Sequence, residues 1–167
     1  MLGAAMDLYL IRHAIAADAA KGQDDADRPL TDEGRERFAR AVRGMREIGI
    51  TFERVIHSPW KRAVQTAKLL EPVTYGPIES STLLAKEPGG GLLEIVARSS
   101  SEGPLALVGH QPWLSQLGAW LLGGDRGRGA MLEIKKGGVV WLEGDPEPGK
   151  MRLKALWTPK TLRALAR

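Results

Sequence analysis

The stretch Leu8-Tyr9-Leu10-Ile11-Arg12-His13-Ala14 decides how the rest of this chain is read. Leu8 to Ile11 are apolar or aromatic without polar alternation. A short continuous apolar run of this kind marks a strand buried on both faces. The run stops abruptly at Arg12 and His13. Ligands of open α/β sheets bind just beyond the carboxyl ends of the strands. A cation and an imidazole at that point are therefore candidate pocket residues. The alternative is a strand end that reaches solvent and carries two polar residues as a cap.

The same theme returns twice further along. Residues 52–57 read as a second strand with β-branched Val55 and Ile56, closing on His57-Ser58. Leu105-Ala106-Leu107-Val108-Gly109-His110 is a third, again ending in histidine. Helices fill the intervals. Thr31 is a good N-cap, with Asp32 and Glu33 at the positive helix end. Phe38, Ala41, Val42, Met45 and Ile48 then recur at helical spacing, so residues 32–48 form an amphipathic helix that Gly49 stops. Ser58 caps and Pro59 opens the next helix, with Ala63, Thr66, Ala67 and Leu70 inward and Pro72 at its end. Residues 76–80 suit a short edge strand and 92–99 a helix. Pro112 begins another helix, which buries Trp113, Leu114, Leu117, Trp120 and Leu121 and ends at Gly123-Gly124. Residues 125–130 form a Gly/Arg loop. Residues 131–135, 138–143 and 151–157 read as antiparallel strands, with 146–149 as the hairpin loop between the last two. A short helix or tail completes the chain.

Strands alternating with helices imply a parallel sheet covered on both faces, and the trailing strands make it mixed. The expected architecture is an α/β fold: a three-layer α/β/α sandwich around a mostly parallel mixed sheet. The whole chain of 167 residues forms one domain. Residues 1–6 are expected to be disordered, and Met6 is a candidate natural start.

Hydrophobic residues make up 43% and charged ones 26%, which fits a soluble globular domain. The absence of cysteine removes disulfides, thiolate metal sites and a thiol nucleophile, and agrees with a cytoplasmic location. No signal-peptide pattern and no apolar run of ~20 residues is present, so no membrane partner is expected. The 24 basic and 20 acidic residues leave a net charge of +4. The basic residues are scattered, with Arg35, Arg37, Arg40, Arg43 and Arg46 along one helix, as on a solvated face. Only 5% of residues are aromatic, too few to pair a basic groove with stacking platforms, so nucleic acid is not an expected partner.

If the three strands are parallel neighbours, Arg12-His13, His57-Ser58 with Arg62, and Gly109-His110 face one cleft. Two arginines and two or three histidines suit a phosphoryl group. Guanidinium forks clamp its oxygens, and a neutral imidazole can attack phosphorus to give a covalent intermediate. Competing chemistries fit less well. The loop carboxylates Asp18, Asp24, Asp25 and Asp27 lack the calcium-loop pattern and its distal glutamate. Zinc would want closely spaced ligands such as H-E-x-x-H, and the neighbouring arginines would repel a cation. Ser58 lacks the G-x-S-x-G elbow, and neither a P-loop nor G-x-G-x-x-G is present. No metal and no cofactor are expected.

Four segments in order carry a family resemblance. They are Leu10-Ile11-Arg12-His13-Ala14, Asp27-Arg28-Pro29-Leu30-Thr31, Ser58-Pro59-Trp60-Lys61-Arg62-Ala63-Val64-Gln65-Thr66-Ala67 and Val108-Gly109-His110-Gln111-Pro112. Together they resemble the histidine phosphatase (phosphoglycerate mutase-like) superfamily. The short length, the R-P-L-T segment and the late Trp157-Thr158-Pro159 are similar to its SixA-type phosphohistidine phosphatase branch. The family motif usually reads R-H-G, and here Ala14 stands in place of the glycine. The resemblance implies a phosphoglycerate mutase-like fold with His13 as nucleophile. Arg12 and Arg62 would bind phosphate oxygens, and His110 would be the second pocket histidine. For substrate binding it offers Arg28 at the rim, with pairing to a loop carboxylate as the alternative. Glu87 is the nearest counterpart of the acid that larger members carry, with an uninvolved loop carboxylate as the alternative. His57 is read as structural, and Ser58 and Thr31 as helix caps. A phosphoramidate leaves as imidazole, which can already hold its proton, whereas a phosphate ester needs an acid. The implied activity is a metal-independent phosphatase acting on phosphohistidine in a protein partner. A phosphatase for a small phosphorylated metabolite and a non-catalytic phosphate-binding domain are the alternatives.

Overall fold

β1 (Met6–Arg12) lies inside a six-stranded sheet, as the double-sided apolar run requires. The computed structural model describes residues 5–167. Along the chain follow α1 (Asp32–Glu47), β2 (Arg54–His57), α2 (Lys61–Leu69), β3 (Ile78–Ser80), α3 (Gly90–Arg98), β4 (Leu105–Gly109), α4 (Trp113–Gly123), β5 (Val139–Gly144), β6 (Met151–Trp157) and α5 (Pro159–Leu165). The sheet order is β3-β2-β4-β1-β5-β6. The first four strands in that order run parallel, and β5 and β6 complete the sheet antiparallel. The sheet is therefore mixed and mostly parallel, as expected.

Alternation along β1 feeds two cores. Tyr9 and Ile11 join Phe38, Met45, Ala63, Ala67 and Leu162 on one face, packed by α1, α2 and α5. Leu8 and Leu10 join Leu92, Val96, Leu114, Leu117 and Leu121 on the other, packed by α3 and α4. Each such buried side chain contributes roughly 1.5–3 kcal/mol of transfer free energy, so both faces of the run favour the central position. α5 lies close against α1 at Gly44, where a Cβ would fall 1.8 Å from the Leu162 carbonyl oxygen.

The register aligns the strand ends. Arg12 pairs with Gly109, and His57 pairs with Val108. The three strands that end in histidines or precede them are thus adjacent and parallel, and their carboxyl ends share one edge.

Three expectations about local structure are corrected. Met6 belongs to β1 and is buried, so order begins before residue 7; residues 1–4 lie outside the described residues. Residues 131–135 form no strand. The chain makes a 3-10 turn over Arg126–Met131, then runs irregularly, with Leu132 and Ile134 buried. The edge of β1 that this segment would need is already taken by β5. Side chains claim its carbonyls instead: the Ser115 hydroxyl donates to Leu132, and Arg12 Nη1 donates to Ile134 at 2.9 Å. Ser58 does not cap α2. The helix begins at Lys61 with Trp60 as N-cap, and Ser58 Oγ accepts from the Trp60 N–H while it faces His110. Thr31 does cap α1, accepting from the Gly34 N–H at 2.9 Å.

Candidate active site

His13 follows β1 directly, and its backbone N–H donates to the Gly109 carbonyl. The next residue is held from α2: the Ala14 N–H donates to Thr66 Oγ1, and that hydroxyl donates to the Arg62 carbonyl. Thr66 therefore ties the segment after His13 to the helix that carries Arg62. The His13 ring is 6% exposed. Its Nδ1 lies 2.7 Å from the Ala14 carbonyl oxygen. A carbonyl only accepts, so Nδ1 carries the proton. In the neutral ring Nε2 then carries the lone pair, which accepts from Arg62 Nε–H at 3.3 Å. Burial pushes the His13 pKa down to about 4, with the nearby cations Arg62, Arg12 and Lys136 adding to the shift and the Ala14 bond opposing it. At neutral pH the ring is an uncharged base with one defined tautomer.

His110 sits 5.3 Å from His13, ring centre to ring centre. Its Nε2 is 2.7 Å from Ser58 Oγ. Desolvation first, then His13 and Arg62, push its pKa down to about 3, with Asp25 opposing. Two indoles flank it: Trp60 at 4.6 Å and Trp113 at 5.9 Å between ring centres. Trp60 also lies under the Arg62 guanidinium at 4.8 Å, a cation–π contact.

Arg62 is 5% exposed, and both of its terminal nitrogens donate to one residue. Nη1 donates to the Asp25 carbonyl at 2.7 Å and Nη2 to Asp25 Oδ2 at 3.0 Å. Asp25 Oδ1 accepts from Arg28 Nη1 at 2.8 Å, while Arg28 Nε donates to the Ala17 carbonyl. Arg28 thus pairs with a loop carboxylate and reaches Arg62 through it. Hydrogen bonds from Arg28 and Arg62 hold the Asp25 carboxyl below its ordinary pKa, although burial opposes them. Arg12 anchors to Ile134, and its pKa is lowered by desolvation and by the like charge of Arg62. Two buried polar atoms here have no partner, Arg12 Nε and His110 Nδ1. Unmade bonds of that kind cost about 1–3 kcal/mol each. A ligand with several acceptor oxygens is the kind of group that a guanidinium and an imidazole left in this state would take.

Of the residues singled out in the sequence, Arg12, His13, Arg62 and His110 come together, with Arg28 one ion pair away. Glu87 is exposed on the loop before α3. His57 is buried at the end of β2, with Nδ1–H donating to the Ser58 carbonyl. Among the described residues, no three His, Asp or Glu side chains are grouped to hold a metal ion. Sequence reasoning missed Asp25 as the partner of Arg62 and Ser58 as the partner of His110. The i,i+3 spacing of Asp25 and Arg28 signals only their own pair, and nothing local signals either missed partner.

The family model for the histidine phosphatase superfamily (branch 1) matches residues 8–86. An uncharacterized protein of Picosynechococcus sp. is 35% identical over 142 residues, covering 82% of this chain and 84% of the relative. SixA from Agrobacterium tumefaciens superposes with a TM-score of 0.78 at 22% identity, over 92% of this chain and 98% of that one. The protein histidine phosphatase SixA complexed with tungstate superposes with a TM-score of 0.76 at 23% identity, over 94% and 99% of the two chains. A mycobacterial glucosyl-3-phosphoglycerate phosphatase shares the fold too, with a TM-score of 0.69 at 21% identity, over 90% and 98%.

Proposed function

The chain belongs to the histidine phosphatase superfamily, and from that premise we propose that it is a phosphatase that removes the phosphoryl group from phosphohistidine in a protein partner. The observation that carries the reading is the state of His13: Nδ1–H donates to the Ala14 carbonyl, which leaves a neutral Nε2 beside Arg62. Nε2 attacks phosphorus in line. A P–N bond to Nε2 forms as the P–N bond to the substrate imidazole breaks. The leaving ring, already protonated on its other nitrogen, departs as neutral imidazole, and the released nitrogen keeps the electron pair of the broken bond. Water then attacks the phosphorus of the phospho-enzyme, the P–Nε2 bond breaks, and inorganic phosphate leaves. Arg12 and Arg62 neutralise the equatorial oxygens, where charge concentrates as the bonds exchange. His110 supplies a further hydrogen bond to the same oxygens.

The preference for a phosphoramidate over an ester follows from proton supply. The carboxylate that contacts Arg62 is Asp25, and its two arginine partners keep it ionised at neutral pH, with no proton to give. Glu87 is exposed and serves as a loop carboxylate in this reading. An alkoxide leaving group would need an acid; an imidazole leaving group does not.

The test is phosphate release, without added metal, from a phosphohistidine-bearing protein and from a panel of phosphate monoesters. The reading expects strong preference for phosphohistidine and unchanged rates in Glu87→Gln. Preference for a sugar or nucleotide phosphate would replace it with a metabolite phosphatase, and inactivity on both would leave a phosphate-binding domain. His13→Asn keeps a donor for the Ala14 carbonyl and removes the nucleophile. It should lower turnover by about 10³-fold or more while the protein stays folded.

A further inference from the structure

Beside the candidate site lies a groove of about 320 Å³ between the turn at residues 135–137, the start of α1 and the start of α5. Its apolar lining comes from Ile15 and Pro159, with the buried Phe38 beneath them. Its walls carry Arg37, Lys135, Lys136, Lys160 and Arg163. Two of these cations are neutralised nearby: Arg37 by Glu33 at 2.6 Å and Lys135 by Glu133 at 2.7 Å. Lys136, Lys160 and Arg163 form no ion pair among the described residues, and Lys160 and Arg163 project one turn apart from α5.

The groove adjoins the candidate site through the backbone, while the side chains of Arg12, His13, Arg62 and His110 lie outside its lining. Ala14 and Ile15 line it directly after His13. The Gly137 N–H donates to both the Arg12 and His13 carbonyls at 3.0 Å, which pins the turn carrying Lys136 to the nucleophile. Lys136 is near enough for its charge to act on the His13 ring. A chain segment lying here would extend from the substrate that His13 attacks.

We propose that this groove docks an acidic segment of the phosphorylated protein, next to its phosphohistidine, an inference that rests on the phosphohistidine-protein reading above. Three uncompensated cations over an apolar lining favour carboxylate side chains on a backbone that also buries apolar surface. Nucleic acid fits less well. The one aromatic side chain in the groove, Phe38, is buried in the core and offers no stacking face, and the groove is too small for a duplex. A partner charged in this way would be steered to the site from a distance, with a marked dependence on ionic strength.

The experiment compares three synthetic decapeptides, each with one central phosphohistidine, flanked by Asp and Glu, by Ser and Gln, or by Lys. Phosphoimidazole serves as a substrate too small to reach the groove. Each is assayed with the wild type, with Lys160→Glu/Arg163→Glu, and with the milder Lys160→Ala/Arg163→Ala. The wild type should favour the acidic over the lysine-flanked peptide by about tenfold or more in kcat/KM at low salt, mostly through KM. Charge reversal should erase that preference, the alanine pair should reduce it, and phosphoimidazole hydrolysis should stay within about twofold. Cleavage of phosphoimidazole and of all three peptides at similar rates would overturn the groove proposal and leave the phosphatase reading standing. Failure to cleave phosphoimidazole or any peptide would overturn the phosphatase reading itself. An oligonucleotide that binds the groove more tightly than the acidic peptide and competes with it would assign the surface to nucleic acid instead.

Discussion

Acidifying the protein from pH 7.5 to pH 5 should destabilise it through His13, and the amount can be worked out. Burial among cations holds the folded ring near 4, against 6.5 for an unperturbed histidine. A base with a depressed folded pKa is protonated first in the unfolded chain. Stability is therefore complete above about 6.5, falls as the pH drops below that value, and levels off below about 4. At pH 5 the unfolded ring is almost wholly protonated and the folded ring almost wholly neutral. The linkage relation then gives a loss of about 2 kcal/mol from this one group. His110, held near 3, adds a similar loss over the same interval. Asp25 does not confuse the measurement, because its pKa is shifted downward from 3.8 and it stays ionised throughout. The assay is urea unfolding at pH 7.5 and pH 5, for the wild type and for His13→Asn. Asparagine cannot titrate, and its amide can still donate to the Ala14 carbonyl. The variant should lose about 2 kcal/mol less than the wild type on acidification, equivalent to about 4–8 °C in Tm for a chain of this size. An identical pH dependence in the two proteins would show that His13 is not held neutral by its surroundings, and the argument for a ready nucleophile would fail with it.

The same shift governs the rate. With substrate ionisation and uncatalysed acid hydrolysis corrected for, the acid limb of kcat/KM on a phosphoramidate should lie near 4, and a limb near 6.5 would count against a buried neutral nucleophile. Asp25→Asn removes the charge that competes for Arg62. Orthophosphate inhibition should tighten by about 3- to 10-fold, read as a lower inhibition constant, while stability changes by less than about 1 kcal/mol because the Asp25 side chain is half exposed. Gly44→Ala would drive a methyl group into the Leu162 carbonyl. It should separate α1 from α5 and cost about 2–4 kcal/mol, read as a fall in Tm without loss of the site's chemistry at low temperature.

The three strand ends were legible because the physics that buries a central parallel strand leaves a plain mark: an uninterrupted apolar run that ends where polar chemistry begins. The run at residues 105–109 and the shorter one before His57 carried the same mark, and adjacency of the three followed once the connecting segments read as helices. Residues 131–135 misled because burial and hydrogen bonding came apart there. Leu132 and Ile134 are buried in alternation like strand residues, but their carbonyls bond to Ser115 and Arg12 rather than to a neighbouring strand. Periodicity reports which side chains are buried; it does not report where the backbone bonds go. Ser58 misled for a related reason. A serine before a proline resembles a cap, and only the arrival of His110 from a distant strand shows what the hydroxyl faces.

The network around Arg62 was invisible for a deeper reason. Four carboxylates in the loop before Arg28 differ little as sequence, and only the fold selects Asp25. Its choice has a physical consequence for turnover. Arg12 and Arg62 are both buried enough for each to raise the cost of the other, and Asp25 offsets part of that cost while remaining half exposed itself. A fully buried carboxylate would hold Arg62 too firmly to yield it to phosphate, and a missing one would leave two like charges beside His13 with nothing to balance them. A carboxylate at the edge of solvent is the intermediate case. It can orient the guanidinium between turnovers and be out-competed by a dianion that brings several oxygens at once. Under the proposed function, the Asp25 ion pair is weak enough to yield Arg62 to phosphate and strong enough to reclaim it as the product leaves.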